Sequence, residues 1–150
     1  MASYKGHLVF SFLIVFGFIF LISNYLYQPS TKDIILYIVI GLLFALWPDI
    51  DIKSLGQRLF YSLFFVTDVF LILNRDYRTA AYFGLLIILP VMAKHRGWTH
   101  SKTAMLVIPL PILIYPIWVT RSLDFSNLPF YCAAVIGYFS HILLDGRFMK

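Results

Sequence analysis

The stretch "SHILLD" (140–145) sets His141 and Asp145 four residues apart. On a helix that spacing stacks imidazole and carboxylate on one face, one turn from each other. Such a pair suits a divalent cation such as zinc, manganese or iron, or a carboxylate that orients a histidine. In "WPDID" (47–51) Asp49 and Asp51 stand two apart, just after Pro48. From an irregular segment both can turn towards one centre, and two negative charges so close repel unless cations lie between them. "HRGWTH" (95–100) adds His95 and His100, whose five-residue spacing fits no single helical face and points to a turn at Gly97. Arg96 in that turn offers a guanidinium fork matched to phosphate or carboxylate. With His7, these residues supply enough ligands for one or two metals. Water on such a cation becomes acidic enough to attack an ester or phosphoester at neutral pH, an activity that a chelator abolishes and added Zn²⁺ or Mn²⁺ restores.

Each piece also has a plainer reading. His7 alone is an interfacial polar residue, "PDID" a helix stop with solvated acids, and the His141/Asp145 pair a hydrogen-bonded helix end. Lys94, Arg96 and Lys102 double as anchors at a membrane surface. Asp68, inside an apolar segment, is an intramembrane carboxylate and a weaker functional candidate. The readings separate on whether distant segments bring these side chains together.

The elements that must do so are apolar. The chain has 150 residues, 61% of them hydrophobic and 13% charged, with mean hydropathy +0.83, the composition of a polytopic membrane protein. Its net charge of +5 then orients loops against anionic lipid, and no nucleic-acid partner is expected. All 7 acids are aspartates, which excludes an HExxH zinc-protease helix; a GxSxG elbow and a GxxxxGK phosphate loop are missing too. The single cysteine, Cys132, lies in an apolar run and reads as a buried, inert thiol.

Six apolar segments follow: Leu8 to Leu26, Ile34 to Trp47, Leu59 to Leu73, Thr79 to Ala93, Ala104 to Thr120 and Phe125 to Leu144. Crossing the hydrocarbon takes ~20 helical residues. The first and last segments meet that length, whereas the second, third and fourth are short. The expected fold is an all-α, polytopic transmembrane bundle of about six helices, four being the alternative, in a single domain 1–150. Pro109, Pro111 and Pro116 predict a bent or broken fifth helix whose freed carbonyls need new partners. If six spans alternate, one side collects Lys5, Lys53, Arg58, Lys94, Arg96, Lys102, Arg147 and Lys150, and the other Lys32, Arg75, Arg78 and Arg121. The excess puts the first side, with both termini, in the cytoplasm. Every histidine, and Asp49, Asp51 and Asp145, falls on that same side.

"GHLVFS" at 6–11, "PDIDIKSLGQR" at 48–58, "HRGWTHS" at 95–101 and "GYFSHILLD" at 137–145 resemble, in order, the motifs of the YdjM-like inner-membrane family, described as membrane-bound metal-dependent hydrolases and in some members LexA-regulated. The resemblance implies a helical membrane protein with metal-assisted hydrolytic chemistry. It supports His7, Asp49, Asp51, His95, Arg96, Thr99, His100, Ser101, His141 and Asp145. Ile52 stands where the family frequently has a histidine, removing one possible ligand, and the sequence stops five residues after Asp145 where relatives often continue.

The resulting expectation is a hydrolase of the inner membrane with its site at the cytoplasmic face, acting on a lipid or lipid-linked phosphoester. His7, Asp49, Asp51, His100, His141 and Asp145 would bind a divalent metal, zinc foremost, with manganese or iron as alternatives. Asp51, His95 and His100 would carry the catalysis, and Arg58, Arg96, Thr99 and Ser101 would hold the substrate. The rival is a non-enzymatic transporter or lipid- and ion-binding protein using the same cluster.

Overall fold

Three ladders of residues spaced four apart organise the molecule, whose computed structural model describes residues 4–92 and 98–146. Helix α1 (Tyr4–Tyr25) buries His7, Ser11, Val15 and Ile19 along one face. Helix α2 (Thr31–Leu46) buries Tyr37, Gly41 and Ala45, and the next step of that series is Asp49. Helix α7 (Leu128–Leu144) buries Ala133, Gly137 and His141, and its next step is Asp145. Positions four apart share a helix face, so each ladder is apolar or small along its length and polar at one end. The three helices pack pairwise on these faces.

Small residues set how closely they approach. A Cβ added to Gly137 would run into the backbone of Gly41, so α2 and α7 touch nearly backbone to backbone, as in membrane helices whose association depends on van der Waals contact. Val15, Ile19, Tyr37 and Ala133 fill the space between the three helices. The opposite face of α1, with Val9, Leu13, Phe16 and Phe20 each more than half exposed, faces the lipid expected around such a chain.

A 3-10 turn over Trp47–Asp51 extends α2, because Pro48 removes one backbone donor and tightens the chain. Helix α3 (Leu55–Leu73) returns from it, capped by Ser54, whose hydroxyl accepts from the Gln57 amide. It packs against the turn and α4 (Tyr77–Met92). A second 3-10 turn, Trp98–His100, precedes α5 (Lys102–Val107) and α6 (Pro111–Thr120). Among the described residues there is no strand.

The six expected segments are all helical, with the fifth divided into α5 and α6 at Pro109–Pro111. There Leu110 donates to Val107 instead of Leu106, and the freed Leu106 carbonyl accepts from the Tyr131 hydroxyl on α7. Pro116 lies inside α6 without ending it. Among the described residues, four helical segments are long and apolar enough to cross a membrane: Tyr4–Tyr25, Thr31–Asp51, Leu55–Leu73 and Lys102–Thr120. Lengths differ from expectation in three of the segments: the third, expected short from Leu59, starts at Leu55 and reaches 19 residues. The second segment is extended to 21 residues by its 3-10 turn, and the last shrinks to the 17 residues of α7. The loss comes from Asp124, whose carboxylate accepts from the Ser126 amide and hydroxyl and so favours a turn over helix. Cys132 is free and half-buried.

Candidate metal centre

The ladders deliver their polar ends to one place. His7 comes from the first turns of α1, Asp49 from the 3-10 turn after α2, and His141 and Asp145 from the last turn of α7. His100, at the close of the second 3-10 turn, completes the set. His141 Nε2 and His100 Nε2 each face both carboxylates. The four separations are 3.6 Å from His100 to Asp49, 3.7 Å from His100 to Asp145, and 3.6 Å from His141 to each aspartate.

These distances are too long for charge-assisted hydrogen bonds, which run at about 2.7–2.9 Å. They suit two ligands of one ion: metal bonds of about 2.0–2.2 Å at a tetrahedral angle put ligand atoms about 3.3–3.6 Å apart. The relevant atoms are buried. His141 Nε2 and Asp49 Oδ1 have no hydrogen-bond partner among the described residues. Two carboxylates gathered in a buried space repel each other and lose hydration, a cost that a cation between them removes.

The orientation of His141 is fixed. Its Nδ1 lies 2.7 Å from the carbonyl oxygen of Ala45; since a carbonyl only accepts, Nδ1 carries the proton and Nε2 presents its lone pair to the centre. The His100 Nδ1 sits 3.2 Å from the Thr99 hydroxyl, and the Thr99 carbonyl accepts from the hydroxyl of Tyr138 on α7. Helix α7 thereby positions both imidazoles, one directly and one through Tyr138 and Thr99.

His7 stacks on His141, ring centroids 3.9 Å apart and planes 12° from parallel. Its Nε2 lies 3.6 Å from Asp145 Oδ1, whereas Asp145 Oδ2 faces His100 and His141. Asp145 therefore spans the cluster, one oxygen towards His7 and the other towards the remaining imidazoles. Two ligand groups result, His7–His141–Asp145 and Asp49–His100–His141, each with its atoms within 4.8 Å of one another. Asp49, its side chain 15% exposed against 5% for Asp145 and 0% for His100, is the most open member.

Of the residues expected from the sequence, His7, Asp49, His100, His141 and Asp145 converge. Asp51 belongs to neither group. The backbone leaves helical geometry at Asp49, between the turn's start and Asp51, so the two aspartates are not held on one helical face. Thr99 is fully buried, its hydroxyl on the His100 ring. The Ser101 hydroxyl caps α5 by accepting from the Ala104 amide. Arg58 lies exposed on the first turn of α3, and Asp68, half-buried on α3, belongs to neither group. His95 and Arg96, with the turn expected at Gly97, lie outside the described residues.

Two contributors escaped sequence reasoning: the Ala45 carbonyl and Tyr138. The run Tyr37, Gly41, Ala45, Asp49 at four-residue spacing marks the face of α2 that carries Ala45, but no residue type marks a backbone carbonyl as a partner. Tyr138 lies inside the stretch "GYFSHILLD", but its role was not read from it.

Searches of curated proteins and of solved structures gave no match. The family model of the YdjM inner membrane proteins matches residues 1–147, a span that takes in every one of the converging side chains, and the chain belongs to the YdjM inner membrane protein family.

Proposed function

We propose that the chain is a metal-dependent hydrolase embedded in the membrane, with phosphoester or lipid-linked substrates. The observation that carries this reading is the ring of four imidazole–carboxylate separations of 3.6–3.7 Å among buried side chains. A divalent cation bound there, zinc foremost by its nitrogen and oxygen donors, supplies a Lewis acid that acidifies water and polarises an ester. His100, His141, Asp49 and Asp145 would hold it. Asp145 Oδ1 is left facing His7, so His7 either adds a further ligand or steadies that carboxylate. Asp49, the most exposed member, marks the side on which water and substrate would enter. Lys5, Lys53, Arg58 and Lys102 lie at or near the same end of the bundle; by the positive-inside preference that end would face the cytoplasm.

The test is hydrolysis of a chromogenic phosphodiester by detergent-purified protein. Turnover should fall to background with a chelator, return with Zn²⁺ or Mn²⁺, and be lost in His100→Ala. Metal-independent turnover equal to wild type in that variant would remove the proposal.

The burial of His100 and His141 favours a second, non-enzymatic reading as an ion-binding or transporting protein, since a closed set of four ligands is the usual form of a site that does no hydrolysis. On that reading the purified protein retains its cation but turns over no ester, and liposomes containing it accumulate the ion.

A further inference from the structure

Lys53 and Arg58 bracket the start of α3, both exposed, and among the described residues neither is ion-paired with a carboxylate. Cations at a membrane boundary without a protein counter-charge are available to an anion outside the protein. Two hollows meet at Arg58. One, of about 320 Å³, is walled by Tyr4, Lys53, Ser54 and Leu55. The other, of about 720 Å³, is walled by Gln57, Tyr61, Ser62 and Phe65.

A cation that only anchors a helix needs no such hollow; it snorkels to the nearest headgroups. Here the charge is set among hydroxyl and amide donors, and the wall then turns apolar. Phe65 is 70% exposed and lies seven residues beyond Arg58, about 10 Å deeper along the helix. Val69 and Phe70 continue the exposed apolar surface of α3. Donors and positive charge at the boundary with hydrocarbon below match the profile of a phospholipid, phosphate above and acyl chain beneath.

The groove also touches the buried cluster. Ser54, in its wall, donates from Oγ to the backbone carbonyl of Asp49 at 2.7 Å. Lys53 is four residues from Asp49, which limits their Cα separation to about 14 Å.

We propose that this groove seats the phosphate of an anionic lipid, held by Arg58 and Lys53 with the acyl chain along the Phe65 side of α3, and that a lipid phosphoester is the substrate class of the buried cluster. The seating stands on the groove itself; the substrate assignment rests on the hydrolase reading. Hydrolysis of such an ester forms a P–O bond to the water oxygen and breaks the P–O bond to the alcohol. One water proton leaves with the alcohol oxygen, and the other passes to solvent.

The experiment titrates short-chain phosphatidic acid and phosphatidylcholine into the full chain in neutral detergent, with metal content measured on the same samples. Wild type should prefer phosphatidic acid by about tenfold or more. The double variant Lys53→Gln/Arg58→Gln should lose that preference while keeping its metal, and Arg78→Gln, on α4 against Tyr82, should retain it. Inorganic phosphate at the lipid's concentration should displace nothing. A preference that survives in the double variant overturns the inference and leaves the metal reading intact; displacement by phosphate overturns the choice of lipid over a free anion. Should the double variant fail to fold, the Arg58→Gln single variant decides in the same titration. His100→Ala separates the readings, since it should lose metal and keep the lipid preference.

Discussion

The aspartates at the two ends of the bundle serve opposite purposes. At the end away from the cluster, Asp33 accepts from the Ser30 amide and hydroxyl in a reciprocal cap on α2, Asp76 accepts from the Thr79 amide, and Asp124 from Ser126. Each is spent on the backbone of its own turn, an arrangement that needs no partner from elsewhere. At the other end, Asp49 and Asp145 come from separate helices and face imidazoles at 3.6–3.7 Å. A carboxylate used locally stabilises a helix terminus; one held apart from its own backbone, in a buried space shared with histidines, could hold a metal ion.

The sharpest break of this contrast is the same Asp→Asn change at both ends. Asp145→Asn should lower metal affinity by about 100-fold or more, since ligand loss exceeds the 10- to 100-fold typical of a supporting residue. Asp33→Asn should leave metal content unchanged and cost only about 0.5 kcal/mol. Metal analysis and thermal unfolding in detergent read both effects. Next in size, Gly137→Leu forces a side chain into the Gly41 backbone and should destabilise the bundle by about 3 kcal/mol, seen as a lower unfolding temperature. Tyr138→Phe removes the donor to the Thr99 carbonyl. It should cost about 1 kcal/mol and weaken metal binding through His100, whereas Tyr27→Phe, which removes one hydroxyl of the Tyr27–Tyr37 pair at the far end, should cost a similar amount without touching the metal.

The fold was legible because hydropathy reports directly on spans: six apolar segments became six helical segments, with the fifth breaking between its first two prolines. Helix lengths were less so, since hydropathy counts Phe125 as membrane-compatible while the Asp124–Ser126 turn keeps it out of α7. The five converging cluster residues were legible through side-counting, as alternating spans must bring like ends together. What the sequence left open was direction. Asp49 and Asp51 are alike in type and close in sequence, and only the kinked turn over Trp47–Asp51 puts one into the cluster and leaves the other out of it. The Ala45 carbonyl is a backbone atom, and nothing about an alanine announces that its oxygen will orient His141.

The central claim, that separate helices build one cation site, is tested most directly by the metal bound per chain after gentle detergent purification, measured by elemental mass spectrometry in wild type, His141→Ala and Asp145→Asn. The account predicts at least about one divalent ion per wild-type chain and a loss of nearly all of it in both variants, with helical content preserved in Asp145→Asn. A wild-type chain that binds no ion at saturating Zn²⁺, or variants that bind as much as wild type, would contradict it.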